Sequence, residues 1–204
     1  VSVGLSAYAG ELHASSQTQP KLVAPAASAH GQSAKGLPEV NEEKIGGRMY
    51  QTSKILVHAK PDQVWRLLTD YDNAPTIFPC LKKCKVLKDK GTSKVVQHEV
   101  KPTGFPGSFE YVLEIKEVGN RSQEWHRLSG DFHEVEGFWK LDGSEDGNST
   151  TVTYASYVNG GFFMPQPLIK RQVRQDIPSV MVALKNHAET SHQQIANVSQ
   201  RLVK

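Results

Sequence analysis

Three pairs of residues in this chain have types and spacings that could support chemistry. His126 and His133 fall on successive strand-like stretches, where they can face each other across a sheet. Two imidazoles can begin a metal site, but no third ligand is evident, so the pair reads as ordinary polar groups. Asp70 and Asp72 could pass for paired carboxylates. They sit at the end of a helical stretch, where capping and turn formation account for them. Cys80 and Cys84 are four positions apart, a spacing that suits a disulfide in a loop and is awkward in a strand. Without a nearby His they make a poor metal site, and they read as half-buried free thiols. The sequence contains no G-x-S-x-G, H-E-x-x-H, Walker or G-x-G-x-x-G pattern. No catalytic set, metal site or cofactor site follows from it.

The elements that must position any site are dominated by one C-terminal stretch. From Gln166 to about His192, apolar residues recur at Ile169, Val173, Ile177, Val180, Met181, Leu184 and Ala188. Steps of three and four put them in one stripe along a helix. Lys170, Arg174, Gln175, Ser179, Lys185 and Glu189 occupy the other side. Pro178 predicts a kink, and Asp176 can cap a second helical segment after it. A long one-sided helix needs a partner surface, and most of the remaining chain reads as strands.

Residues 1–44 are rich in Ala, Ser, Gln, Gly and Pro and have no period. They are expected to form a flexible tail. The chain starts at Val1 and carries an Ala7–Ala9 pair before Gly10, as at the end of a cleaved leader. Export or organelle targeting is therefore favoured slightly over a cytoplasmic location. The composition changes near Ile45, and residues 45–195 are expected to form one domain, with 196–204 as a second tail. The first strand is expected over GGRMYQTSKILVHA. Pro61 starts a short helix carrying Val64, Trp65, Leu67 and Leu68, and a second short turn closes at Phe78-Pro79. Six strands follow from Leu81. The clearest has Phe109, Tyr111, Leu113 and Ile115 alternating with charged residues. Val135, Gly137, Trp139 and Leu141 share a face of another, and Val152, Tyr154 and Val158 share a face of the last. The fold class is α+β: a curved antiparallel sheet of about seven strands in β-α-α-β6-α order, wrapped around a long kinked helix. One helix is too thin to fill such a concavity, so a hollow is expected between them.

The stretches PDQVWRLLTDYDNAPTIFP, GDFHEVEGFWKL and MPQPLIKRQVRQDIPSVMVALKNHAE, in this order, resemble the START-like (SRPBCC, helix-grip) superfamily. Within it they are most similar to the polyketide-cyclase/coenzyme Q-binding group. The resemblance covers about residues 45–192. It implies a hydrophobic cavity for a lipid, an isoprenoid quinone or a polyketide-like ligand. Cyclases of this superfamily act chiefly by folding a reactive chain inside the cavity.

Strand and helix parity nominate the cavity lining. Phe109, Tyr111, Leu113, Val135, Trp139 and Tyr154 are expected to look inward from the sheet. Val173, Ile177, Val180, Met181 and Leu184 are expected to face them from the helix, with Phe78 and Phe105 at an end. Gly160-Gly161-Phe162-Phe163-Met164-Pro165 sets three large apolar residues behind a glycine pair and ahead of Lys170, Arg171 and Arg174. That order suggests a gate that touches a membrane surface while the cations meet anionic head groups.

The chain has 204 residues, of which 38% are hydrophobic, which suffices for one core. A net charge of +3 is too small to call for nucleic acid. No stretch approaches the roughly 18 apolar residues of a membrane span. The first functional expectation is binding or transfer of a hydrophobic small molecule. The alternatives are a polyketide cyclase or dehydratase, which a buried polar cluster would favour, and a ribosome-associated interaction module, which a basic open face would favour. The oligomeric state is left open.

Overall fold

A computed structural model describes residues 36–162 and 164–202. The expectations placed on residues 1–35, including the Ala7–Ala9 pair, and on Phe163 lie outside the described residues. The elements run β1 (Val40–Ile45), β2 (Arg48–Val57), α1 (Pro61–Thr69), α2 (Ala74–Ile77), β3 (Leu81–Asp89), β4 (Ser93–Val100), β5 (Phe109–Val118), β6 (Ser122–Gly130), β7 (Glu134–Gly143), β8 (Thr150–Asn159) and α3 (Gln166–Leu202).

The strands form one curved antiparallel sheet in the order β1-β2-β8-β7-β6-β5-β4-β3. Strands β3 to β8 are a meander, as short connections dictate. The described sheet has eight strands where seven were expected. Gly46 and Gly47, at φ 55° and 86°, make a two-residue turn that pairs Ile45 with Arg48. Such a turn needs positive φ at both positions, which glycine supplies without strain. It folds VNEEKI back as an edge strand, so the sheet begins at Val40, inside the stretch read as tail. At the other end α3 runs to Leu202, through residues read as a C-terminal tail.

Helix α3 lies against β2, β8 and α1. Ile177, Met181, Leu184 and Ala188 are buried with Val57, Val64, Leu68, Trp139, Leu141 and Val152 in one core cluster. Pro178 sits inside α3. Asp176 was expected to cap a new helical segment there. Instead its carboxylate accepts from the Thr103 amide at 3.2 Å and from Gln172 Nε2 at 2.9 Å, which ties α3 to the β4–β5 loop. Helix α1 opens with Pro61, and the Lys60 amide donates to Gln63 Oε1 at 3.0 Å. His192 of α3 meets the same Gln63 oxygen at 2.8 Å, fixing the two helices together. On the convex face, Arg48 pairs with Glu134 at 2.7 Å and with Glu136, spanning β2 to β7 across Tyr157 of β8.

Leu184 is fully buried, so truncation should leave a cavity. Leu184→Ala is expected to cost about 2–5 kcal/mol in guanidinium unfolding. Leu56→Ala, at a site 45% exposed, should stay within about 0.5 kcal/mol of the parent. Equal midpoints for the two would contradict the packing described.

Candidate functional site

Between the concave face and α3 lies a cavity of about 260 Å³. Its lining comes from nearly every element. The sheet supplies Phe109, Tyr111, Leu113, Val135, Trp139 and Tyr154, and α3 supplies Val173, Ile177 and Val180. Phe78 closes the α2 end with Leu68, Tyr71 and Ala74, and Phe105 lies on the β4–β5 loop. Strand parity brings these residues together because alternate side chains share one face. Met181 and Leu184, nominated with them, do not line the cavity. Met181 directly follows Val180 and Leu184 lies one turn beyond it, and both are fully buried in the core formed with β2, β8 and α1.

The aromatic lining is in mutual contact. Phe105, Phe109, Phe132 and Tyr111 form one run, with ring centroids 4.8–5.7 Å apart. Phe78, Trp139, Tyr154 and Trp125 form another, with centroids 4.4–6.3 Å apart. Leu168 is 48% exposed and yet belongs to the lining, so the cavity reaches solvent beside the start of α3. Pro102, Phe105 and Gln172 also line the cavity. Gln172 Nε2 donates to the Thr103 carbonyl at 3.0 Å, so with Asp176 it fastens the β4–β5 loop over the cavity by two backbone contacts.

Several polar residues of the lining were not singled out by sequence pattern. They are His98, Gln123, Ser156, Gln172 and Asp176. His98 was legible in principle, since it alternates with Val96 and Val100 along β4. Cys80 and Cys84 are free and both line the cavity. Burial pushes Cys84 up to about 12, with the Asp72 charge adding to it, and burial also raises Cys80 beside Asp176. Burial raises Tyr111, and it takes Tyr154 up to about 12. It lowers His98 to about 4. Desolvation disfavours every charged form, so thiols, phenols and imidazole are all neutral at neutral pH. At the far end Gln123 donates to the Leu68 carbonyl and contacts the Tyr71 hydroxyl, each at 3.2 Å, and Tyr71 donates to Glu117.

The remaining candidates lie elsewhere. His126 and His133 do not face each other. His126 is paired in register with Glu136 and lies 3.5 Å from Glu114, while His133 precedes β7. Their expected opposition fails because β7 starts at Glu134, one residue after His133. Asp70 accepts from the Asn73 side chain at 2.9–3.0 Å in the turn after α1. In the 160–165 segment, Met164 lines the cavity and Phe162 is 96% exposed. The glycine pair is not a free hinge. A Cβ on Gly160 would strike Ile169 and Met164, and the Gly161 amide donates to Asn159 Oδ1 at 2.9 Å. Lys170 lies 3.6 Å from Glu42, and Arg174 donates to the Val40 carbonyl at 3.1 Å. Both thus turn toward β1. Arg171 is exposed.

The family model described as polyketide cyclase / dehydrase and lipid transport matches residues 57–185, well over half of the chain. The chain belongs to this family. The chain shares its sheet-and-helix fold with solved structures of low sequence identity. A STAR-related lipid transfer protein fragment from Xanthomonas axonopodis superposes with a TM-score of 0.64 at 16% identity, covering 76% of this chain and 95% of that one. The Zhui aromatase/cyclase from Streptomyces gives 0.58 at 16% identity, covering 71% and 93%. A START superfamily protein from Mycobacterium smegmatis gives 0.58 at 17% identity, covering 72% and 98%. At such identity these likenesses establish the helix-grip fold of the family and not the cargo. No curated protein matches the chain in sequence.

The lowered pKa of His98 has a consequence for stability. An unfolded His takes up its proton near 6.5, whereas the folded one resists until about 4. Between those values the unfolded state binds more protons, so stability falls as pH falls through the window. At pH about 4.5 the loss should be about 2–3 kcal/mol relative to pH 7. Urea unfolding of the parent and of His98→Phe at both pH values isolates this part, because the carboxylates are common to both. Parallel losses would show that His98 is not shielded.

Proposed function

We propose that the protein binds and transfers a hydrophobic small molecule held between its sheet and α3. The observation that carries this reading is the character of the cavity wall. It is built mainly from aliphatic and aromatic side chains, contains no Lys, Arg or Glu among the described residues, and keeps its thiols, phenols and imidazole neutral. Affinity then comes from apolar burial, at about 25 cal/mol per Å². A volume of about 260 Å³ lies just under the span of roughly 300–1,000 Å³ common for small-molecule sites. The cargo is therefore a compact ring system or a single chain, with any longer tail leaving beside Leu168. Lipid, isoprenoid quinone and polyketide-like molecules all have members that meet this description.

One observation favours a second reading, a cyclase- or dehydratase-type enzyme. The cavity is not wholly apolar, since His98, Tyr111, Tyr154 and Asp176 border it. Against it, Asp176 is already engaged by Thr103 and Gln172. A ribosome-facing module would use the cations of α3, two of which are instead occupied by β1.

Native mass spectrometry of protein purified from its own host, followed by solvent extraction, tests the carrier reading. A stoichiometric lipid, quinone or polyketide-like molecule is expected. A protein that arrives empty and takes up neither added lipids nor added quinones would overturn it.

We further propose that the segment 160–165 meets a lipid surface when cargo is exchanged. The support is position: exposed Leu168 lines the cavity at the start of α3, exposed Phe162 lies two residues before the cavity-lining Met164, and exposed Arg171 follows Lys170 on the same helix end. The chemistry fits an anionic bilayer, with apolar tips entering it and Arg171 meeting head groups. Co-sedimentation with phosphatidylglycerol vesicles should fall several-fold in the double variant Phe162→Ala with Arg171→Glu. A parent that does not sediment, or a variant that sediments equally, removes the idea.

A further inference from the structure

The concave floor carries one polar row set by strand register. Cys84 of β3 pairs with His98 of β4, and His98 pairs with Tyr111 of β5. Side chains in such a row stand about 5 Å apart on the same face, and the His98 and Tyr111 rings meet edge-on at 5.7 Å. All three line the cavity, and Tyr154 of β8 lines it too. Among the described residues, neither the Tyr111 hydroxyl nor the His98 imidazole has a hydrogen-bond partner, although both belong to the wall. Both residues are half-buried, with polar atoms open to the cavity, and a donor that cargo cuts off from water without offering an acceptor is costly. These donors point to an acceptor that arrives with the cargo.

We propose that the row Cys84–His98–Tyr111, with Tyr154 as a further wall donor, is a subsite for the oxygen-bearing end of a neutral cargo, a keto or hydroxyl oxygen on an otherwise apolar molecule. The inference rests on the binding reading above and narrows it. A phenol O–H and an imidazole N–H both donate, and a carbonyl oxygen has two lone pairs to accept them. A carboxylate or phosphate does not fit. Among the described residues the lining offers no Lys or Arg to compensate it, and it does include Asp176. An unpaired anion buried there would have to shed its water without a counter-charge. The low pKa of His98 supports the same conclusion, because its ring does not become a cation at neutral pH.

Three probes sharing one ring system test this on the whole chain: ethylnaphthalene, acetonaphthone and naphthoate, substituted at the same carbon. Quenching of the cavity tryptophans, Trp125 and Trp139, reports their binding. The ketone is expected to bind about five- to tenfold tighter than the hydrocarbon, as one or two well-made hydrogen bonds allow, with naphthoate the weakest. In Tyr111→Phe the ratio of ketone to hydrocarbon affinity should fall toward one. Because the readout is a ratio, a general loosening of the cavity cancels, and a thermal melt confirms that each variant is folded. His98→Phe provides a second variant should Tyr111→Phe not fold. Hydrocarbon binding without ketone preference, or a preference that survives in the folded variant, overturns the subsite and leaves the carrier reading intact. If no probe enters up to its solubility limit, the carrier reading itself fails and the subsite with it.

Discussion

Burial of the α3 stripe against a sheet that curves away from it is the constraint on which the molecule depends. The helix is narrow and the sheet is eight strands wide. Contact is complete only along β2, β8 and α1, where Ile177, Met181, Leu184 and Ala188 lock into the core. Farther across, toward β4 and β5, the sheet departs from the helix and nothing in the backbone can follow it. Large aromatic side chains bridge part of the gap, and the rest is the cavity. Stability and binding are thus divided along one helix. The later turns of the stripe are core, and the earlier ones, Val173 and Ile177, also face the hollow.

That division explains which expectations from sequence hold and which do not. Period-two alternation places Phe109, Tyr111, Leu113, Trp139 and Tyr154 on the concave face, because in-out parity is local and survives any bend of the sheet. Distance from sheet to helix is not local, so Met181 and Leu184 share a stripe with Val173 but not its surroundings. The edge strand β1 was hidden for a different reason. Asn41, Glu42, Glu43 and Lys44 are the composition of a solvated tail, and only the Gly46–Gly47 turn marks the stretch as a strand. Edge strands are commonly charged in this way. His98 was missed because a polar residue on a strand reads as solvent-facing until the register puts it under something, and Asp176 was read only as a helix cap.

In the subsite proposed above, the wall's polar groups would act on selection more than on strength. Apolar burial holds any molecule of suitable size, and so discriminates little. Hydrogen-bonding groups that are left unmet by the wrong molecule discriminate far more, because the penalty falls on the protein's own buried donors. The helix-grip fold supplies the container, and the register of β3, β4 and β5 places Cys84, His98 and Tyr111 in its wall.

The two thiols in the wall have a chemical consequence. A thiol reacts as its thiolate, and burial, with the Asp72 charge adding to it, holds Cys84 well above the usual thiol range, so little of it is thiolate at neutral pH. Cys84 is therefore a poor nucleophile while standing directly against the cargo space. Many oxygenated ring compounds carry electron-poor carbons that alkylate ordinary cysteines on contact. Burial of Cys84 disfavours that reaction, so a sulfur in the wall need not trap an electron-poor compound lying beside it.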